Sequence, residues 1–354
     1  MSAAKLTLRS IEPLAEVEIG PAIAAMPKAD IHLHAESGPR LDQVLAERSG
    51  RRVTDWRAHI RELMRNLPPG MPRLETWGPD LPFPRARVDE LDRHPENFKA
   101  RVSRILFEAA TDGAVLVEVL FGASTILRED FLDLFGEAVE EVRERFPNLH
   151  AVPLVAAKTT EEWAATLLPR CIAGARHGLA GINILPLTYD RPADWSVVHG
   201  WAQRARDAGL GITAHAGEFG ALHLAEAIEV PGLTRVGHAV GAGFAPRLLD
   251  RIAERGVTIE CPLSCNVVLG AVESYVAHPI RRFMERGIPV TVCTDDPVKA
   301  ATTIGREYAI ASELGFSGAE LLACTQAAVA ASFCDDETRG RLLRLVSESA
   351  TIEP

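Results

Sequence analysis

Eight short apolar runs, separated by helical patterns, organise the chain: residues 28–35, 115–121, 151–156, 181–186, 211–215, 234–238, 257–261 and 288–294. Runs of this length, rich in β-branched residues and bounded by glycine, proline or acids, read as buried strands. Helical periodicity fills the gaps at Asn97 to Ala110, Phe131 to Phe146, Thr160 to Arg176, Ser196 to Ala208, Ala221 to Ile228, Pro246 to Glu254 and Pro279 to Arg286. About three more helices are expected over residues 301–349. Eight strands alternating with helices is the count of a closed parallel (β/α)8 TIM barrel of the α/β class. The rival, an open doubly wound sheet, wants a glycine-rich phosphate turn after its first strand. Here that turn is His34-Ala-Glu-Ser-Gly38, which is not one. A single domain over 1–354 is therefore expected, and a 47% hydrophobic composition supplies its core.

Residues 37–96 interrupt the alternation. Helical stretches (Leu41 to Arg48, Trp56 to Arg65) are followed by a proline- and glycine-rich segment from Leu67 to Pro84. So long an irregular connection reads as a lid over a site or as a scaffold insertion.

Charge and composition narrow the partners. The net charge is -10, and no block of lysine or arginine could track a phosphate backbone, so nucleic acid is not an expected partner. No run approaches the ~20 apolar residues of a membrane span. The first twenty residues mix Lys5, Arg9, Glu12, Glu16 and Glu18 with apolar side chains and do not read as a signal peptide. The six cysteines are scattered, which suggests reduced thiols and a cytoplasmic protein. Oligomeric state is not legible.

The ends of the strands carry the chemistry. In Thr291-Val-Cys-Thr-Asp-Asp-Pro297 an apolar strand runs into two adjacent carboxylates. Buried together they repel each other and lose hydration; a metal ion or a shared proton relieves both, and a helix N-cap is the plainer alternative. His32 and His34, two apart on the first strand, point to one side. His215-Ala-Gly-Glu218 ends the fifth run and Gly237-His238 the sixth. A barrel gathers such ends at one mouth. His32, His34, His215 and Asp295 would offer three nitrogens and one oxygen to one zinc ion per chain, leaving a position for water. Water so bound has its pKa lowered towards ~7. His238 would orient or deprotonate it, and Glu218 would exchange a proton with the substrate. A different zinc signature, His-x-Glu with Pro-Cys-x-x-Cys, is imitated by His34-Ala-Glu36 and Cys261-Pro-Leu-Ser-Cys265. The cysteine spacing is wrong for it, and Cys261 and Cys265 are expected to be packed thiols.

These pieces, in this order, resemble the adenosine deaminase family of metal-dependent barrel hydrolases. The matching motifs are His32-Leu-His34, His215-Ala-Gly-Glu218, Arg235-Val-Gly-His238, Cys261-Pro-Leu-Ser264, His278-Pro279 and Thr294-Asp-Asp-Pro297. The resemblance implies zinc on His32, His34, His215 and Asp295, with His238 orienting the water and Glu218 protonating the ring nitrogen beside the attacked carbon. It places Asp296 on the purine N7, with His34 and Glu36 also on the substrate side. Because N7 is an acceptor, Asp296 must share a proton to bond it, which the like charge of Asp295 favours. The implied substrate is a small 6-aminopurine nucleoside, adenosine or 2'-deoxyadenosine; free adenine and 5'-substituted adenosines are the alternatives.

The chain departs from the family where the sugar would sit. Glu36 stands where the family usually has an aspartate, as in related adenine deaminases, and Leu185-Pro-Leu-Thr188 replaces a Gly-Asp-Glu turn. Cys265 is an extra residue in the family's Cys-Pro-x-Ser-Asn, while Gly270-Ala-Val272 looks more like the nucleoside branch. A two-metal hydrolase would want a lysine on the fourth strand, and 179–187 contains none. A non-catalytic relative would be expected to lose Glu218 or a ligand, and none is lost.

Overall fold

A computed structural model of the protein describes residues 17–35, 38–65, 90–186 and 193–349. The eight runs form β1 (Lys28–His34), β2 (Ala114–Phe121), β3 (His150–Lys158), β4 (Gly181–Leu185), β5 (Gly211–Ala216), β6 (Leu233–His238), β7 (Thr258–Cys261) and β8 (Val290–Val292). They pair in sequence order, each parallel to the next. Pro289, which has no N–H to offer, precedes β8, and that strand is only three residues long. The seam is closed just beyond it. The Asp295 N–H donates to the His32 carbonyl at 2.8 Å, and the His34 N–H donates to the Asp295 carbonyl at 2.7 Å. Closure thus runs through an expected metal ligand and brings it against the two on β1.

Alternation along the strands sorts the wall into two faces. Val117 and Val119, Ile182 and Ile184, Ile212 and Ala214 belong to the large apolar core. Between them Glu118, Asn183 and Thr213 are buried on the opposite side. Polar groups thus stand inside the barrel beside the apolar Leu116, Leu120, Leu154 and Ala156, while the larger apolar core lies outside, under the helices.

The three C-terminal helices fall where expected: Ile304–Glu313, Gly318–Ala331 and Asp336–Ser349. Ala328, Val329 and Leu342 pack with Ala29, Ile31, Leu116 and Cys293. Two helices differ from expectation. The run Thr160 to Arg176 breaks into Glu161–Thr166, Leu168–Gly174 and a 3-10 turn at Ala175–His177. Pro169 sits in the first turn of the second helix, where its missing N–H does no harm, but it cannot continue the first. The run Ala221 to Ile228 shortens to Leu224–Ala227. His223 accepts from the Trp195 indole N–H at 3.3 Å, and the helix begins after it.

Within 37–96, helices Gly38–Arg48 and Trp56–Arg65 form as read. The expected lid at 67–84, and Glu36, lie outside the described residues.

Candidate metal and catalytic site

The four expected ligands meet at one mouth. One donor atom from each of His32, His34, His215 and Asp295 lies within 4.8 Å of the others. The His215 Nε2 is 3.1 Å from His32 Nε2 and 3.0 Å from His34 Nε2. Asp295 Oδ1 is 3.4 Å from His32 Nε2 and 3.1 Å from His34 Nε2. About 3.3 Å is the edge of a tetrahedron of nitrogens placed ~2.0–2.1 Å from a central zinc.

The far sides of the rings decide whether a cation fits. His215 Nδ1 donates to the Asn183 side-chain oxygen at 2.8 Å, and His32 Nδ1 meets Glu260 Oε2 at 2.6 Å. Each neutral ring spends its one N–H there. Their Nε2 lone pairs then face each other across 3.1 Å with a carboxylate beside them. That is repulsive unless a positive centre lies between them, so the donor set fits a cation.

The same logic appears in the ionisation of the groups. Burial works against charge on His32, yet hydrogen bonds to Asp295 and Glu260 raise its pKa to about 10. A metal would take the place of that proton. Burial pushes Asp295 up, but the His32 and His34 hydrogen bonds outweigh it and hold the carboxyl well below its usual range. Burial and the neighbouring imidazoles drive His215 well below the ordinary histidine value.

Local backbone geometry serves this convergence. A Cβ on Gly237 would come within 2.5 Å of the His32 ring, so the residue before His238 must lack one. His238 and Asp295 both adopt left-handed backbone, at φ 67° and 61°. Such conformations are costly for non-glycine residues and cluster at functional sites. The Asp pair does not cap a helix: Thr303 caps the helix that follows, accepting from the Arg306 N–H.

Glu218 and His238 stand beside the donor set. His238 Nε2 is 3.8 Å from Glu218 Oε2 and 4.0 Å from Asp295 Oδ2, and both acids are nearly inaccessible. The other nitrogen, Nδ1, is held by the Asn266 side-chain oxygen at 2.8 Å, and Asn266 in turn meets His278 Nε2 at 3.0 Å. The His238 Nε2 is buried with no hydrogen-bond partner among the described residues. Burial lowers its pKa to about 4, so the ring is neutral with Nε2 turned to the site. Asp296 lies at the edge, partly exposed, with the Lys299 ammonium 3.7 Å away.

Cys261 is the packed thiol expected of it. Cys265 is packed too, against Leu269 and Ala300, and it also lies beside Asp295 and Asp296. Burial raises its thiol well above the ordinary range, so it is a neutral neighbour and not a thiolate ligand. Sequence reasoning missed the residues behind the rings: Asn183, Glu260 and Asn266. A signal existed for the first two. Each is a lone polar residue inside an apolar strand, in Gly-Ile-Asn-Ile-Leu185 and Thr-Ile-Glu-Cys261.

Comparisons with known proteins place the chain in a family. A family model described as adenosine deaminase matches residues 27–349. An adenine deaminase of Rhizobium leguminosarum is 46% identical over 142 residues, 39% of this chain and 44% of that protein. An adenosine deaminase of Shewanella loihica is 43% identical over 143 residues, 40% of this chain and 43% of that one. The matched region thus spans less than half the length of these relatives. Among solved structures, the adenine deaminase of Arthrobacter aurescens superposes with a TM-score of 0.73 at 23% identity, covering 92% of this chain and 99% of that one. That likeness is one of fold.

Proposed function

The chain belongs to the adenosine deaminase family, and from that premise we propose that it is a hydrolase that replaces the 6-amino group of a purine by oxygen. Water adds to C6 and ammonia leaves, turning a 6-aminopurine into a 6-oxopurine. The observation that carries this reading is the meeting of His32, His34, His215 and Asp295 at one point, with Glu218 and His238 alongside. Zinc is the proposed ion, one per chain, because three imidazoles and a carboxylate match its preferences. When bound, the cation supplies an activated water at neutral pH.

The chain's own residues do the rest. His238, neutral and with Nε2 unengaged, orients the attacking water and takes its proton. Glu218, 3.8 Å from that nitrogen, gives a proton to the ring nitrogen beside C6 as the tetrahedral carbon forms. Asp296, on the open side, holds N7 through a shared proton.

Adenosine or 2'-deoxyadenosine is the proposed substrate. Free adenine is the second reading, favoured by the 46% identical adenine deaminase. The test is ammonia release by the zinc-loaded protein from adenine, adenosine, 2'-deoxyadenosine and 5'-substituted adenosines. Release from nucleosides but not from adenine supports the first reading, and the reverse supports the second. No ammonia from any 6-aminopurine overturns both.

A further inference from the structure

A line of buried charge runs down the barrel from the site to the opposite end, and the deamination chemistry has no use for it. It starts at His32, whose Nδ1 meets Glu260 Oε2 at 2.6 Å. Glu260 Oε1 accepts the Thr213 hydroxyl at 3.0 Å and is ion-paired, without hydrogen-bond geometry, with Arg235 Nε at 2.8 Å, and Arg235 Nη2 donates to Glu118 Oε2 at 2.6 Å. The side chains of Glu118, Arg235 and Glu260 are wholly inaccessible. The line ends on the loop after the helix Gly318–Ala331. There Glu118 Oε1 accepts the Phe333 backbone N–H at 2.6 Å, and Arg235 Nη1 donates to the Ala331 carbonyl at 3.0 Å.

Phe333 is the lid on this line. Its ring centre lies 3.8 Å from the Arg235 guanidinium carbon. The ring is pressed against Gly181 and Gly211, the first residues of β4 and β5; a Cβ there would come within 2.5 and 2.1 Å of it. Both glycines therefore make room for one aromatic ring at the N-terminal mouth, the end away from the metal ligands.

Burying an ion triad is expensive, and apolar residues of like volume often do as well for stability. The triad has another effect here. A carboxylate on the far nitrogen of a metal-binding histidine fixes its tautomer and raises its basicity, and such partners govern metal affinity. The charge of Arg235, together with the Thr213 hydroxyl, holds Glu260 in place for that bond, while Glu118 and the Ala331 carbonyl hold Arg235. We propose that the Ala331–Phe333 segment is a positioning element for the metal ligand His32, acting through Glu118, Arg235 and Glu260. The inference rests on the metal-site reading above, but not on the choice of substrate.

The test is the rate at which zinc passes from the full-length, zinc-loaded protein to a chelator, read beside the melting temperature of the metal-free form. Glu260→Gln should bind zinc about 10–100-fold more weakly, the usual effect of removing such a partner. The decisive variant is Glu118→Gln, which keeps shape and lies beyond Arg235. It should release zinc several-fold faster at a temperature where the metal-free variant, destabilised by the loss of a buried charge partner, is still fully folded. Phe333→Ala should also release zinc faster, and Phe333→Leu, which keeps the apolar cover, should restore most of the retention. A release rate for Glu118→Gln equal to the parent's overturns the proposal, whatever Phe333→Ala does to folding. A protein that holds zinc as described yet deaminates no purine would sink the deaminase reading and leave this one standing.

Discussion

The two ends of the barrel are both lined with buried ionisable groups, and they are opposite in kind. At the N-terminal end the buried triad pairs opposite charges: Arg235 lies between Glu118 and Glu260 and is roofed by Phe333. At the C-terminal end like faces like, with imidazole Nε2 atoms 3.0–3.1 Å apart and Asp295 among them. Burial alone therefore does not mark a functional site. What marks it is a set of fixed side chains whose far sides are satisfied and whose near sides are not.

The largest effect should come at the open end. Glu218→Gln removes the proposed proton donor and leaves the four proposed ligands untouched, so turnover should fall by about 10²–10⁴ with zinc content unchanged. An unaltered rate would remove Glu218 from the mechanism and with it half of the contrast. The closed end should answer in stability instead. Arg235→Met strands two buried carboxylates, and breaking such a pair costs about 3–5 kcal/mol, read as a fall in the denaturant midpoint. A near-normal midpoint would mean that the triad is not the structural counterweight described here.

The asymmetry also explains what could be read in advance. Strand positions and the four residues that meet at the mouth are written locally, as apolar runs ending in histidine or aspartate, and closure of the barrel does the rest. The break at Pro169 was equally local, since a proline cannot continue the preceding helix. The relay was not. Glu118 and Arg235 are visible as charges in apolar strands, but their pairing spans 117 residues and depends on which strands face each other across the interior. Nothing near Phe333 in the sequence says that glycines at 181 and 211 leave space for it. Cys265 is packed as read, with Leu269 and Ala300, and its thiol also borders Asp295 and Asp296, a neighbourhood set by strands far apart in sequence.

The smallest effect concerns how the open end is kept neutral. His278 stands behind His238, with its Nε2 3.0 Å from the Asn266 amide nitrogen and its Nδ1 3.2 Å from the Ile280 nitrogen. Burial, with a smaller push from His238, lowers its pKa to about 3. A depressed histidine stabilises the fold fully only above the unfolded-state value of about 6.5; below it the unfolded chain gains a proton that the folded one refuses. The stability at stake is lost as pH falls from about 6.5 towards 3, roughly 2 kcal/mol of it by pH 5 at ~1.4 kcal/mol per pH unit. Other buried groups pull in both directions, Asp30 among them with a pKa raised by burial to about 7, so the parent's pH profile alone is no test. The difference between parent and His278→Gln isolates the one group. In the metal-free form, the parent's stability advantage over the variant should shrink between pH 7.5 and 5. An advantage constant with pH would mean that His278 is not held neutral against its titration.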